Sequence, residues 1–165
     1  MEENKNIMMK PILDACCGSR MFYFDKECEF VLYQDIREVE ETLCDGRKLR
    51  IAPDVIVDFR SMPYEDSSFH LVIFDPPHLQ KVGGKSWLAI KYGKLDENWI
   101  DTIKRGFDEC WRVLANQGTL IFKWNEREIP LREIIKVIGR QPLLGHTTKS
   151  GGYTVWMVFY KSKEE

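Results

Sequence analysis

No Cys-x-x-Cys pair occurs in this chain, although it carries five cysteines, Cys16, Cys17, Cys28, Cys44 and Cys110. An odd number without metal-ligand spacing argues against a disulfide framework and a structural zinc site, and no metal is expected. Reduced, mostly buried thiols are the expectation instead. Gly-x-Gly-x-x-Gly is also missing, which argues against a nicotinamide oxidoreductase. No apolar run reaches the roughly 18 residues of a membrane span. Residues 1–10 lack the basic–apolar–small layout of a secretory signal, so a cytoplasmic protein with no membrane contact is expected. An excess of one charge is missing too. With 24 basic and 26 acidic residues the net charge is −2, so any hold on a polyanion must come from a local patch. Repeats and low-complexity linkers are absent. The 165 residues, 44% hydrophobic and 30% charged, suit one globular domain spanning 1–165.

What is present is an alternation of short apolar runs with amphipathic ones, the pattern of an α/β sheet wrapped by helices. Residues 11–15 open a first strand. Strands over 30–33, 55–57 and 71–74 follow, running out at Asp35, Asp58 and Asp75 as the first does at Asp14. Ile100, Ile103, Phe107, Cys110, Trp111 and Leu114 recur at helical spacing and predict a helix over 98–114, stopped by Asn116-Gln117-Gly118. A fifth strand over 119–124 and a helix over 131–138 behind Pro130 come next. The tail, 143–147 and 153–160 about Gly151-Gly152, predicts an antiparallel pair whose last strand is apolar on both faces and so sits inside the sheet.

Ligands of open parallel sheets bind beyond the carboxyl ends of the strands. Four acids arriving there, Asp14, Asp35, Asp58 and Asp75, suit a cationic or hydrogen-donating ligand. Asp35 follows Asp14 by about 20 residues, the interval at which an acid meets the ribose hydroxyls of an adenosine cofactor. Between them, Asp14-Ala15-Cys16-Cys17-Gly18-Ser19-Arg20 is a loop of small residues that lets a cofactor approach the backbone.

The loop, the acids at Asp35 and Asp58, and Asp75-Pro76-Pro77-His78 together resemble the class I S-adenosylmethionine-dependent methyltransferases. Within them the chain is similar to the amino-methyltransferases with an Asp/Asn-Pro-Pro-aromatic motif, most of all the small phage or prophage type that methylates adenine N6 or cytosine N4. The resemblance implies a Rossmann-like fold: a seven-stranded, mostly parallel sheet with an antiparallel last strand and helices on both faces. It also implies roles. Asp14, Ala15, Cys16 and Gly18 would line the methionine end of S-adenosylmethionine, with Asp75 beside it. Asp35 would bind the ribose hydroxyls, and Asp58 and the Phe59 backbone the adenine. Arg20 stands where the family often has glycine, and its guanidinium is expected to meet the methionine carboxylate. His78 stands where the family has an aromatic residue.

Asp-Pro-Pro-His suits amine chemistry. An aromatic amine is a poor nucleophile because its lone pair is delocalised into the ring. The Asp75 carboxylate and the Pro76 carbonyl, accepting its two N–H groups, would localise that pair where charge develops. Pro76 and Pro77 stiffen the ledge and offer no competing donor. His78 would stack on the base and take up the released proton. Residues 79–97 follow as an expected basic, substrate-facing loop. Lys81, Lys85, Lys91 and Lys94 are interleaved with Trp87 and Tyr92, a mixture suited to phosphates and stacked bases. Lys81, Lys85, Trp87, Lys91 and Tyr92 are the expected nucleic-acid contacts, and Gly83-Gly84 would let the segment move. Adenine N6 in DNA is the expected target. The alternatives are RNA, a protein amide, a small molecule, or a cofactor-binding subunit without activity. With no separate recognition domain, specificity would come from this loop, a homodimer or a partner.

Overall fold

The structure, a computed structural model, describes residues 10–83, 86–146 and 152–163. Nine strands and three helices are described: β1 (Ile12–Asp14), β2 (Val31–Asp35), β3 (Val39–Thr42), β4 (Lys48–Ile51), β5 (Val55–Ile56), β6 (Phe69–Phe74), α1 (Trp87–Tyr92), α2 (Trp99–Val113), β7 (Leu114–Asn125), α3 (Leu131–Ile138), β8 (Leu144–Gly145) and β9 (Thr154–Tyr160). Seven strands form one sheet in the order β5-β2-β1-β6-β7-β9-β8. The pairings from β5 through β7 are parallel, and β9 runs antiparallel to both β7 and β8. This is the expected mostly parallel sheet with an antiparallel last strand, and β9 lies inside it. The order reverses between β1 and β6, and a crevice opens at such a switch point.

Strand alternation divides the side chains between two faces. Leu13, Leu32, Val72, Phe74, Leu120, Phe122, Met157 and Phe159 bury against Ile103, Phe107 and Cys110 of α2 and Ile134 and Ile138 of α3. At Gly106 a Cβ would stand 2.6 Å from Phe59 and 2.8 Å from Phe74. The missing side chain lets α2 press both rings into place. Ile100, expected on this core face, is 55% exposed at the helix start. The other face carries Ile12, Val31 and Tyr33, packed with Cys17, Tyr23 and Cys28. Turns of the 15–30 segment cover it, not a helix. The two helices of the core, α2 and α3, thus pack on one face of the sheet, while the β1–β2 connection covers the other as turns.

Three further differences have local causes. An antiparallel hairpin, β3–β4, occupies 39–51, where no element was expected; it turns at Asp45-Gly46, with Gly46 at φ 82°. The fifth strand begins at Leu114 instead of 119, and a bulge at its foot shifts its register against β6. The basic segment 79–97 is not all loop. Ser86 caps α1, its Oγ accepting from the Ala89 amide at 3.2 Å, and Gly93 ends it at φ 75°.

Candidate active site

A cleft opens at the carboxyl end of the sheet over the β1–β6 switch. Its wall is built from the first loop (Cys16, Cys17, Gly18, Ser19, Met21 and Phe22), the end of β2 (Asp35, Ile36 and Arg37), and Phe59. The opposite wall is Asp75, Pro76, Pro77 and His78, closed by Lys91, Tyr92 and Lys123. Two expected groups, the glycine loop with Asp35 and the Asp-Pro-Pro-His run, thus share one cavity.

Asp35 ties the loop to the strand. Its Oδ2 accepts from the Gly18 amide at 2.9 Å and its Oδ1 from the Arg37 amide at 3.0 Å. A carboxylate has lone pairs for further donors, so these bonds orient it without exhausting it. Arg37 in turn donates to the Ile90 carbonyl at 2.9 Å, joining this wall to α1. At Gly93 a Cβ would come within 2.9 Å of the Pro77 ring, so only glycine lets the end of α1 lie on the second proline.

Asp75 leaves β6 one residue past Phe74, which pairs with Phe122 of β7; Lys123 therefore arrives beside it. Its Nζ is 2.6 Å from Asp75 Oδ2, with about a fifth of each side chain exposed (21% and 22%). Burial pushes the Asp75 carboxyl up, and the Lys123 ammonium opposes that. His78 is held below the ordinary histidine range, first by burial and then by Lys123. The ring is thus a neutral imidazole at pH 7, with Tyr92 at 6.0 Å and the edge of Trp124 at 6.3 Å between centroids.

Other expected residues sit elsewhere. Asp14 and Ala15 are completely buried beneath the cleft and do not form its wall. Asp14 accepts from the Tyr23 hydroxyl at 2.9 Å and the Cys16 amide at 3.3 Å, and Ala15 bonds Ile73 and Gln34 through its backbone. Burial raises the Asp14 carboxyl to about 7 from an ordinary 3.8, with Asp75 and Asp35 adding to it and the two hydrogen bonds opposing. An unfolded chain releases this proton near 3.8, whereas the folded one keeps it to about 7. Asp14 therefore makes folding less favourable as pH climbs through that window. Asp14→Asn should gain on the native protein when melts at about pH 5 and about pH 8 are compared; a difference equal at both would contradict this.

Arg20 does not reach the cleft. It lies in the left-handed region, φ 53°, close to Gly18 at φ 50°, which accounts for a glycine preference at its position. Its guanidinium turns away, donating to the Lys26 carbonyl at 2.6 Å and the Ala52 carbonyl at 2.9 Å. It stacks 3.7 Å from the Tyr33 centroid and pairs with Asp54 at 3.4 Å. The carboxylate role expected of Arg20 is thus replaced by a structural one. Arg20→Ala should cost about 2–3 kcal/mol of stability, because it removes the charge-assisted bonds to the Lys26 and Ala52 carbonyls together with the stacking on Tyr33. Cofactor affinity should hold; calorimetry showing the reverse would restore the first expectation.

Asp58 is also committed. It accepts from the Arg60 guanidinium through both carboxylate oxygens, Oδ2 at 2.7 Å and Oδ1 at 3.0 Å, which holds its carboxyl below the usual range, while neighbouring Phe59 faces the cleft. Of the expected nucleic-acid contacts, Lys91 and Tyr92 line the cleft. Trp87 is 40% exposed on α1. Lys81 is exposed and its amide donates to Glu128 at 3.1 Å. Lys85 lies outside the described residues. Lys123, at the end of the fifth strand and outside the Asp-Pro-Pro-His run, lines the cleft as well.

No family model matches the chain, and no curated protein sequence does. Solved structures do. The PH0226 protein of Pyrococcus horikoshii OT3 superposes with a TM-score of 0.57 at 17% identity, over 98% of this chain and 89% of that one. A TehB-like SAM-dependent methyltransferase from Corynebacterium glutamicum gives 0.55 at 17% identity over 98% and 87%. The N-methyltransferase NodS of Bradyrhizobium japonicum gives 0.51 at 10% identity over 98% and 95%. The fold is the Rossmann-like fold of S-adenosylmethionine-dependent methyltransferases.

Proposed function

We propose that this protein is an S-adenosylmethionine-dependent methyltransferase acting on an exocyclic amino group of a nucleic-acid base, with adenine N6 in DNA the leading target. The observation that carries this reading is the single cleft in which Asp75-Pro76-Pro77-His78 faces Asp35 and the Cys16–Gly18 loop across the switch point. The donor set fits the cofactor. The buried Asp35 is an acceptor for ribose hydroxyls, Ile36 and Phe59 offer apolar surface to an adenine, and Asp75 suits a nearby cation.

S-adenosylmethionine, when bound, supplies a methyl carbon on a cationic sulfur: the amine lone pair forms the N–C bond, the S–C electrons stay on sulfur, and one proton leaves the nitrogen. The chain's task is positioning and charge. Asp75 and the Pro76 carbonyl accept the two N–H groups of the amine. His78, neutral at pH 7, stacks on the base with Tyr92 alongside and takes the released proton. Lys91 at the rim meets backbone phosphate.

A panel of single-stranded DNA, duplex DNA and RNA incubated with methyl-labelled cofactor tests the reading. Label on DNA at several times the level on RNA is the expected result. Preference for RNA moves the target to that polymer. Saturable cofactor binding with no label on any nucleic acid turns the reading into that of a binding subunit or of an enzyme for another amine.

A further inference from the structure

We propose that Lys123 is the positioning residue of the amine acceptor: its ammonium grips Oδ2 of Asp75 and presents the carboxylate, charged and acceptor-only, to the incoming amine. The inference rests on the reading of Asp75 given above, and it assigns a part to a residue outside the Asp-Pro-Pro-His run.

The sheet itself builds the contact. Phe74 and Phe122 are register partners on parallel strands, so the residues that follow them leave the sheet side by side. Lys123 is held from the far side by the Phe22 ring at 5.3 Å and the Trp156 ring at 5.7 Å, two aromatic faces that suit a cation. With that support Nζ meets Oδ2 at 2.6 Å. Among the described residues Lys123 is the hydrogen-bond partner of this carboxylate, which leaves Oδ1 for an N–H of the amine.

A cation is needed here because burial disfavours the charged carboxylate. Asp14 of β1 lies beneath Asp75, Asp35 of β2 faces it across the cleft, and the Cys16 thiol is beside both. His78 follows it and is neutral, with Glu128 acting on the imidazole. Arg37 of the β2 end is turned to Asp35 and Ile90, and Lys91 and Tyr92 of α1 stand at the rim. Of these cations, Lys123 is the one in contact with Asp75. Without it the half-buried carboxyl would lose the one group that opposes the upward push of burial, and its protonated form would be favoured. A protonated carboxyl would offer an O–H to the amine and tie up the lone pair that has to attack.

The test is the titration of the Asp75 carboxyl carbon by 13C NMR, with no cofactor or substrate present and the signal assigned by its loss in Asp75→Asn. In Lys123→Met, and independently in Lys123→Gln, the midpoint should rise by at least about one pH unit; in Lys123→Arg it should stay near the native value. The acid limb of the kcat/KM profile should move upward with it in Met and Gln, with activity recovered in alkaline buffer. An unmoved midpoint in folded variants overturns the inference whatever the activity. A midpoint that moves while native protein transfers no methyl to any nucleic acid leaves the Lys123 assignment standing and overturns the reading of the substrate. A loss of activity equal at every pH reduces Lys123 to a packing residue.

Discussion

Asp75→Asn should lower methyl transfer about 10³-fold while the protein still folds and binds cofactor. The size follows from what the substitution removes. One oxygen of the ledge becomes an NH2 group, and the Lys123 ammonium, a donor, claims the oxygen that remains, so in this chain the NH2 faces the amine's own N–H where an acceptor stood. Loss of one preorganised charge-stabilising group typically costs about 10²–10³-fold. Here the lost group also carries the negative charge that faces a nitrogen becoming cationic. The geometry makes the effect specific. Asp75 sits on the wall opposite Asp35, so its conversion to an amide leaves the Asp35 carboxylate proposed for the ribose hydroxyls in place. Single-turnover rates with saturating cofactor, alongside a thermal melt and a cofactor titration, separate these effects. A folded Asp75→Asn protein that transfers methyl within tenfold of native would refute the role of the carboxylate.

Asp35→Ala should show the complementary pattern. The buried carboxylate holds the Gly18 and Arg37 amides at 2.9 and 3.0 Å, and it is the group assigned to the ribose hydroxyls. Charge-assisted bonds to such groups contribute about 1.5–3 kcal/mol, so cofactor affinity should fall about 10- to 100-fold. Freeing two loop amides should also loosen residues 15–30, seen as faster amide exchange at Gly18 than in native protein. At saturating cofactor the transfer rate should largely recover, because the amine ledge is untouched. An Asp35→Ala variant with native cofactor affinity would remove Asp35 from the cofactor site.

The frame of the molecule was legible because its signals are local. Apolar runs ending in Asp14, Asp35 and Asp75 mark strand ends, and in a parallel sheet strand ends converge. Asp75-Pro76-Pro77-His78 is contiguous, so one stretch of the cleft lining could be read without any long-range contact. The rest was set by register and depth. Lys123 lies 48 residues from Asp75, and the two meet only because Phe74 pairs with Phe122. The depth of Asp14 depends on how the turns of 15–30 close over β1, which no periodicity encodes. Arg20 looked like a cleft residue because of its neighbours, but its left-handed backbone turns the guanidinium toward Ala52 and Tyr33. The hairpin at 39–51 did leave a signal, Asp45-Gly46 between β3 and the alternating burial of β4. Its charged residues hid that signal from an eye set for apolar runs.

The most direct trial of the Asp75–Pro76 ledge is where the methyl group lands. DNA treated with the protein and deuteromethyl-labelled S-adenosylmethionine, digested and resolved by mass spectrometry, should yield N6-methyldeoxyadenosine carrying the label. A label on a ring nitrogen, a ring carbon or a sugar oxygen would contradict it, since two acceptors aimed at an NH2 group have no use at such a centre.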